Sequence, residues 1–191
     1  MARLIQAIAA AGVLLSLGAC HKQPAPQPQA SIRDIMVSEV DPSADALWAS
    51  VGSTVTASGT VDHSPQSDAD WQTVRHYAIT LTEAPNLLVM PGRRVAATGQ
   101  TTDDKGVPGI LSPPEIQAQI EADPAKFARL AAALQAAGLR AVSAVDAKNP
   151  AALIDAGAAL DEACEACHRT YWYPHSPEPK APEPGVSGVK S

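Results

Sequence analysis

The sequence predicts an all-α protein, an antiparallel four-helix bundle with long inter-helix connections. Apolar residues recur at alternating steps of three and four along successive segments, the seam by which a helix packs on its neighbours. One segment is crowded with alanine, the best helix former. Eight of the 17 prolines lie in two short stretches, at 24–28 and 174–184, so the foldable part is residues 31–175, the length of one domain.

Before that domain, residues 1–19 read as a secretory signal peptide. Arg3 is the positive n-region, Leu4 to Leu17 is the apolar run, and small residues follow. The run is short for a membrane span. The string Leu17-Gly18-Ala19-Cys20 resembles the bacterial lipobox, in which the cysteine becomes the lipidated first residue of the mature chain. Acyl chains on Cys20 would hold the protein on a membrane surface through their buried methylenes. The alternative is an ordinary cleaved signal with an incidental cysteine. His21 rather than aspartate follows Cys20, which favours the outer membrane, reached from the periplasmic side. Residues 20–30 then form a Pro/Gln linker, in which the alternating prolines of Gln23 to Ala30 favour polyproline II, a tether of roughly 25 Å.

The first helical stretch carries Ile32, Ile35, Met36 and Val40, then Ala44, Leu47, Trp48 and Val51. Asp41-Pro42 between them is expected to end one segment and cap the next. Residues 52–70 form a long connection, in which Val55 to Val61 could be extended but has no obvious partner strand. The second helix places Trp71, Val74, Ala78, Leu81, Pro85 and Leu88 on one seam, with a kink expected at Pro85. Residues 92–114 are a second long connection, with a short helix expected from Pro113-Pro114. The third helix, from about Pro124 to Ala147, carries Phe127, Leu130, Leu134, Ala137, Ala141 and Val145. The fourth starts at Asn149-Pro150, a cap and first-turn pair. Its face carries Leu153, Gly157, Leu160, Cys164 and Cys167, and Gly157 there lets a bulky group or another backbone come close. Residues 176–191 read as a solvated Pro-rich tail.

Charge excludes more than it assigns. At a net charge of −6 and 18% charged residues, no dense Lys/Arg face exists to neutralise phosphates, so nucleic acid is not an expected partner. No serine nucleophile motif, phosphate loop or paired-carboxylate site stands out, and the expectation is that the protein is not an enzyme.

The chemistry gathers at Cys164-Glu165-Ala166-Cys167-His168. C-x-x-C-H reads as a c-type haem attachment site, in which two thiols bond to the porphyrin and the adjacent imidazole reaches the iron. One covalent haem c is therefore the expected cofactor. An export signal puts the chain where bacteria carry out this attachment. Other readings are a thioredoxin-like redox pair, which belongs at a helix N-terminus, a zinc site using His175 as well, and a plain disulfide.

With Tyr171 three residues after His168, with Ala159-Leu160-Asp161-Glu162-Ala163 before the site, and with Leu81 to Leu88 followed by Met90-Pro91-Gly92-Arg93, the chain resembles the class II c-type cytochromes, the group that includes cytochrome c′. The resemblance spans roughly residues 31–173. It implies thioether links at Cys164 and Cys167, a proximal ligand at His168, and, as in low-spin members, a methionine ligand from the first helix. Met36 is the methionine at that place; its other reading is core packing. Met90, His63 in a loop and His76 off the helix seam are poorer candidates. Arg33, one turn before Met36, would lie near the propionates, whereas Arg93-Arg94 read as solvated loop charges. Trp48, Trp71, Tyr171 and Trp172 could pack on the porphyrin or serve as core.

The expected function is that of a membrane-tethered electron-transfer protein serving redox partner proteins. The alternative implied by cytochrome c′ is a five-coordinate haem that binds or senses nitric oxide or carbon monoxide. A homodimer is compatible with the same resemblance.

Overall fold

The computed structural model describes residues 27–103 and 106–176. The signal peptide, Cys20, most of the linker and the tail after Ser176 lie outside the described residues. The described part is mostly helical, with one small two-stranded sheet.

Helix α1 (Ile32–Ile35) opens on a capping box. Asp34 N–H donates to Ser31 Oγ at 3.1 Å, and the Asp34 carboxylate accepts from Ser31 N–H at 2.9 Å. Its next two free amides donate to the chain that follows the second long helix, Ile32 N–H to Arg94 O and Arg33 N–H to Val95 O, both at 2.9 Å. The start of α1 is thereby sewn to that connection rather than left to water.

Asp41-Pro42 does not end the helix. The chain passes from α1 through a π-helical turn (Met36–Val40) into α2 (Asp41–Ala49), with Ile35, Met36, Val40 and Asp41 all in right-handed helical torsions. Asp41 N–H donates to Met36 O, five residues back. A proline within a helix lacks the amide its turn requires and crowds the preceding carbonyls. The wider π turn lies immediately before Pro42, where such a helix needs room.

Strands β1 (Gly52–Thr56) and β2 (Gly59–His63) form an antiparallel hairpin, so Val55 to Val61 finds its partner within the same connection. His63 closes β2 and is not a loop residue. The hairpin is exposed nearly throughout, and its Val55 is 83% exposed. This explains why core patterning gave no sign of it.

Helix α3 (Asp68–Leu88) begins with a Ser67/Asp70 capping box and contains Pro85, with Trp71, Val74, Ala78, Leu81 and Leu88 buried. Gln135 reaches across from a neighbouring helix and donates to Thr82 O at 3.1 Å, close to the proline. In the connection after α3, Arg93 is not a solvated loop charge. It is 8% exposed, and its guanidinium donates to Leu87 O, Ala30 O and Met90 Sδ. The sequence carries no sign of this, because two acceptors come from the end of α3 and its turn and the third, Ala30 O, from a segment far back in the chain.

Helix α4 (Pro113–Ala122) starts where the proline pair predicts, with Glu115 accepting from Ser112 N–H at 2.8 Å. Helix α5 (Pro124–Asp146) comes next, capped by Asp123, and α6 (Pro150–Tyr171) is capped by Asn149, which accepts from Ala152 N–H at 3.1 Å. Helix α3 packs on α5, α5 on α6, and α2 on both α3 and α6, while α4 lies against α5 and α6. Leu47, Leu81, Leu153 and Leu160 are the largest fully buried side chains.

Gly157 accommodates Trp48. A Cβ there would meet the indole Cδ1 at 3.1 Å, and the indole N–H donates to Gly157 O at 3.0 Å. Trp48→Phe should therefore cost about 1 kcal/mol, the net worth of one such bond. Urea unfolding reads it, and an unchanged midpoint would mean the indole bond adds nothing.

Candidate functional site

The last three turns of α6 carry Cys164, Cys167 and His168 on the continuation of the stripe that Leu153, Ala156, Leu160 and Ala163 commit to the core. Cys167, His168, Tyr171 and Trp172 then line a cleft completed by Ile32, Arg33, Met36 and Asp41 from the first helical stretch. Val95, Thr102 and Asp103 close it from the long connection, and Ile116, Ile120 and Phe127 from α4 and α5. The cleft has a volume of about 150 Å³. Cys164 sits one turn back, half-buried and not on the wall itself.

Both thiols are free. Burial, followed by the charges of Asp161 and Asp41, pushes the Cys164 thiol up to about 11. Burial, followed by Cys164 itself, does the same to Cys167, also to about 11. A redox-active pair needs a thiol of lowered pKa at a helix start. Here both are raised and both lie at a helix end, which argues against the thioredoxin-like reading. Among the described residues no group of three or more His, Cys, Asp or Glu side chains could hold a metal ion, so the four-ligand zinc arrangement with His175 is not formed.

His168 is held by its own helix and by the two residues beyond the end of that helix. Its carbonyl accepts from Trp172 N–H at 2.7 Å and Tyr173 N–H at 3.0 Å. Its ring meets the Trp172 ring edge-on, centroids 5.1 Å apart, and the Tyr173 ring at 6.1 Å. Tyr173 is in turn anchored by its hydroxyl on Glu165, which also pairs with Arg169. Burial depresses the imidazole pKa, against the opposing charges of Asp41 and Glu165. Asp41 shifts the other way, raised by burial with His168 partly offsetting it.

These shifts fix the sign of a pH effect. With its folded pKa below the unfolded value of 6.5, His168 leaves stability untouched above that pH and removes it as the pH falls below 6.5 toward the folded value. Asp41, raised above 3.8, contributes the opposite way: its stabilisation is present at low pH and lost as the pH rises through its folded value. In chain without any bound group the urea midpoint should drop between about pH 7.5 and about pH 5.5, and His168→Gln should flatten that drop. An equal drop in the variant would remove His168 as its source.

Three polar atoms on this cleft are buried without a hydrogen-bond partner: Arg33 Nε, Tyr171 Oη and Trp172 Nε1. Arg33 uses a terminal nitrogen on Asp103 at 2.9 Å, which leaves Nε for the cleft. Unpaired buried donors are costly and few in native proteins. A largely apolar ligand that carries a hydrogen-bond acceptor meets the needs of these walls.

Of the residues singled out from sequence, Arg33, Met36, Cys167 and His168 come together on one cleft, with Tyr171 and Trp172 beside them. Trp48 packs on Gly157, and Trp71 is buried in the core; neither lies on the cleft wall. Met90, His63 and His76 are not on its wall. Asp41 was missed, because Asp-Pro reads as a helix boundary. The contributions of Val95, Thr102 and Asp103 carry no sequence signal. Those of Ile116 and Ile120 had one, their spacing of four after a Ser-Pro-Pro-Glu start.

No protein-family model, no curated protein and no solved structure matches this chain.

Proposed function

We propose that the protein is a c-type cytochrome of the class II kind. Its helices would form an antiparallel four-helix bundle that carries one covalent haem c and passes electrons to redox partner proteins. It would be tethered through lipidated Cys20 to the periplasmic side of a bacterial membrane, the outer membrane by preference. The observation that carries the reading is the meeting of Met36 with Cys167 and His168 on one apolar cleft, at the C-x-x-C-H end of α6.

The residues suit the group. Cys164 and Cys167 are reduced, unpaired and three apart on a helix, as two thioether links require. His168 is half-buried and biased toward the neutral imidazole that can coordinate iron. When bound, haem supplies one-electron exchange between ferric and ferrous iron. The chain sets how readily that happens. Ile32, Val95, Ile116, Ile120 and Phe127 keep water from the cleft and disfavour the extra charge of the oxidised state. The soft thioether of Met36 acts in the same direction, raising the potential. Trp172 and Tyr173 keep the His168 ring from turning.

The test is the optical and EPR spectrum of the ferric protein matured in an export-competent bacterium. A low-spin, six-coordinate signal that becomes high-spin in Met36→Ala is the expected result. A high-spin spectrum indifferent to Met36→Ala, with ready uptake of carbon monoxide or nitric oxide by the reduced protein, would replace electron transfer by the five-coordinate, gas-binding function. Colourless protein would overturn both.

A further inference from the structure

We infer that Trp172 is a positioning residue for the acidic edge of the cofactor, donating its indole N–H to a haem propionate alongside Arg33; this rests on the haem reading above. Three observations converge. Trp172 lines the cleft, and its Nε1 is buried with no acceptor anywhere among the described residues. Arg33 lines the same cleft with its Nε in the same condition, although its other end is engaged by Asp103. The remaining walls are mainly aliphatic and aromatic apart from Thr102 and the carboxylates of Asp41 and Asp103, of which Asp103 is held by the terminal nitrogen of Arg33; neither carboxylate accepts from the two orphaned N–H groups, which mark where an acceptor belongs.

The chemistry narrows that acceptor. A neutral carbonyl would satisfy Trp172 but leave the Arg33 charge unmatched by the ligand. A carboxylate accepts from both, and charge-assisted bonds of this kind are the stronger ones. The other indoles differ in kind: that of Trp48 donates to Gly157 O, and that of Trp71 is not among the orphaned atoms. Trp172 also packs edge-on against His168 from four residues further along, at the C-cap of α6. A single side chain thus steadies the His168 imidazole and would reach the polar edge of the same ligand.

The conservative variant is Trp172→Phe, which keeps a ring against His168 and deletes the N–H. Trp48→Phe serves as control, because it deletes an indole bond remote from the cleft. Haem-bearing protein of each is compared with wild type by resonance Raman spectroscopy and redox titration at one pH. In Trp172→Phe the propionate bending band should move to lower wavenumber, and the midpoint potential should fall, as the carboxylate keeps more of its charge near the iron. Trp48→Phe should leave both where they were. If Trp172→Phe matures poorly, Arg33→Gln carries the same band shift through the other donor.

An unmoved propionate band in haem-bearing Trp172→Phe overturns the inference while the cytochrome reading stands. Wild-type protein without haem defeats the underlying reading instead. A purely packing role for Trp172 would change thermal stability in the phenylalanine variant and leave the band unmoved.

Discussion

The double variant Cys164→Ala/Cys167→Ala should emerge from an export-competent, haem-maturing host essentially colourless, with nearly complete loss of the covalently held porphyrin. Either single variant should retain colour through one remaining link and lose part of its yield. The reason is positional. The two thiols lie three residues apart on the last turns of α6, free and next to His168. No further cysteine is found among the described residues to replace them. Mass spectrometry of acid-extracted protein decides the matter. A porphyrin that survives extraction in the double variant would mean that attachment uses other atoms, and the proposed function would fall with it.

The second large effect is expected far from the cleft, at Gly138. A Cβ built there meets Thr82 N and Oγ1 at 2.8 Å and Leu81 C at 2.9 Å, two of them backbone atoms of α3. Helices α3 and α5 can approach this closely only because the position has no side chain. Gly138→Val would have to push them apart, at a cost of about 2 kcal/mol or more from overpacking. Gly138→Ala should cost less, since the better helix propensity of alanine returns about 1 kcal/mol. Chemical denaturation measures both. If the valine variant unfolds at the wild-type midpoint, α3 and α5 do not pack at this separation.

The same contact has a functional consequence. Helix α5 supplies Phe127 to the cleft, and its ring meets the Tyr171 ring edge-on with centroids 5.6 Å apart. A wedge at Gly138 that tilts α5 would be felt at Tyr171. Haem-bearing Gly138→Val is therefore expected to show a perturbed spectrum as well as reduced stability.

Much of the helical framework was legible because burial imposes a period. Trp71 to Leu88 and Phe127 to Val145 repeat at steps of three and four, and these residues turn inward in α3 and α5 apart from Leu130, which is only partly buried. Caps were legible where a side chain acts on its own backbone, as at Asn149-Pro150. The hairpin was not, since a strand pair exposed on both faces has no inside to pattern. Asp41-Pro42 misled because proline chemistry predicts a boundary from local sterics alone. A widened turn immediately upstream of the proline allows the helix to continue.

Amino-acid order alone dictates which segments are helical, where the reactive thiols and imidazole stand relative to one another, and that Gly157 admits a bulky neighbour. These properties depend on residues within a turn or two, so the local code suffices. Three-dimensional packing was needed to bring Met36 and Arg33 to Cys167 and His168 on one cleft, to bury Arg93 against Ala30 O, and to make Asp41 part of the site. Each of those depends on segments far apart in the chain, brought together by the burial of other residues. Chain separation of that length leaves no periodicity to read.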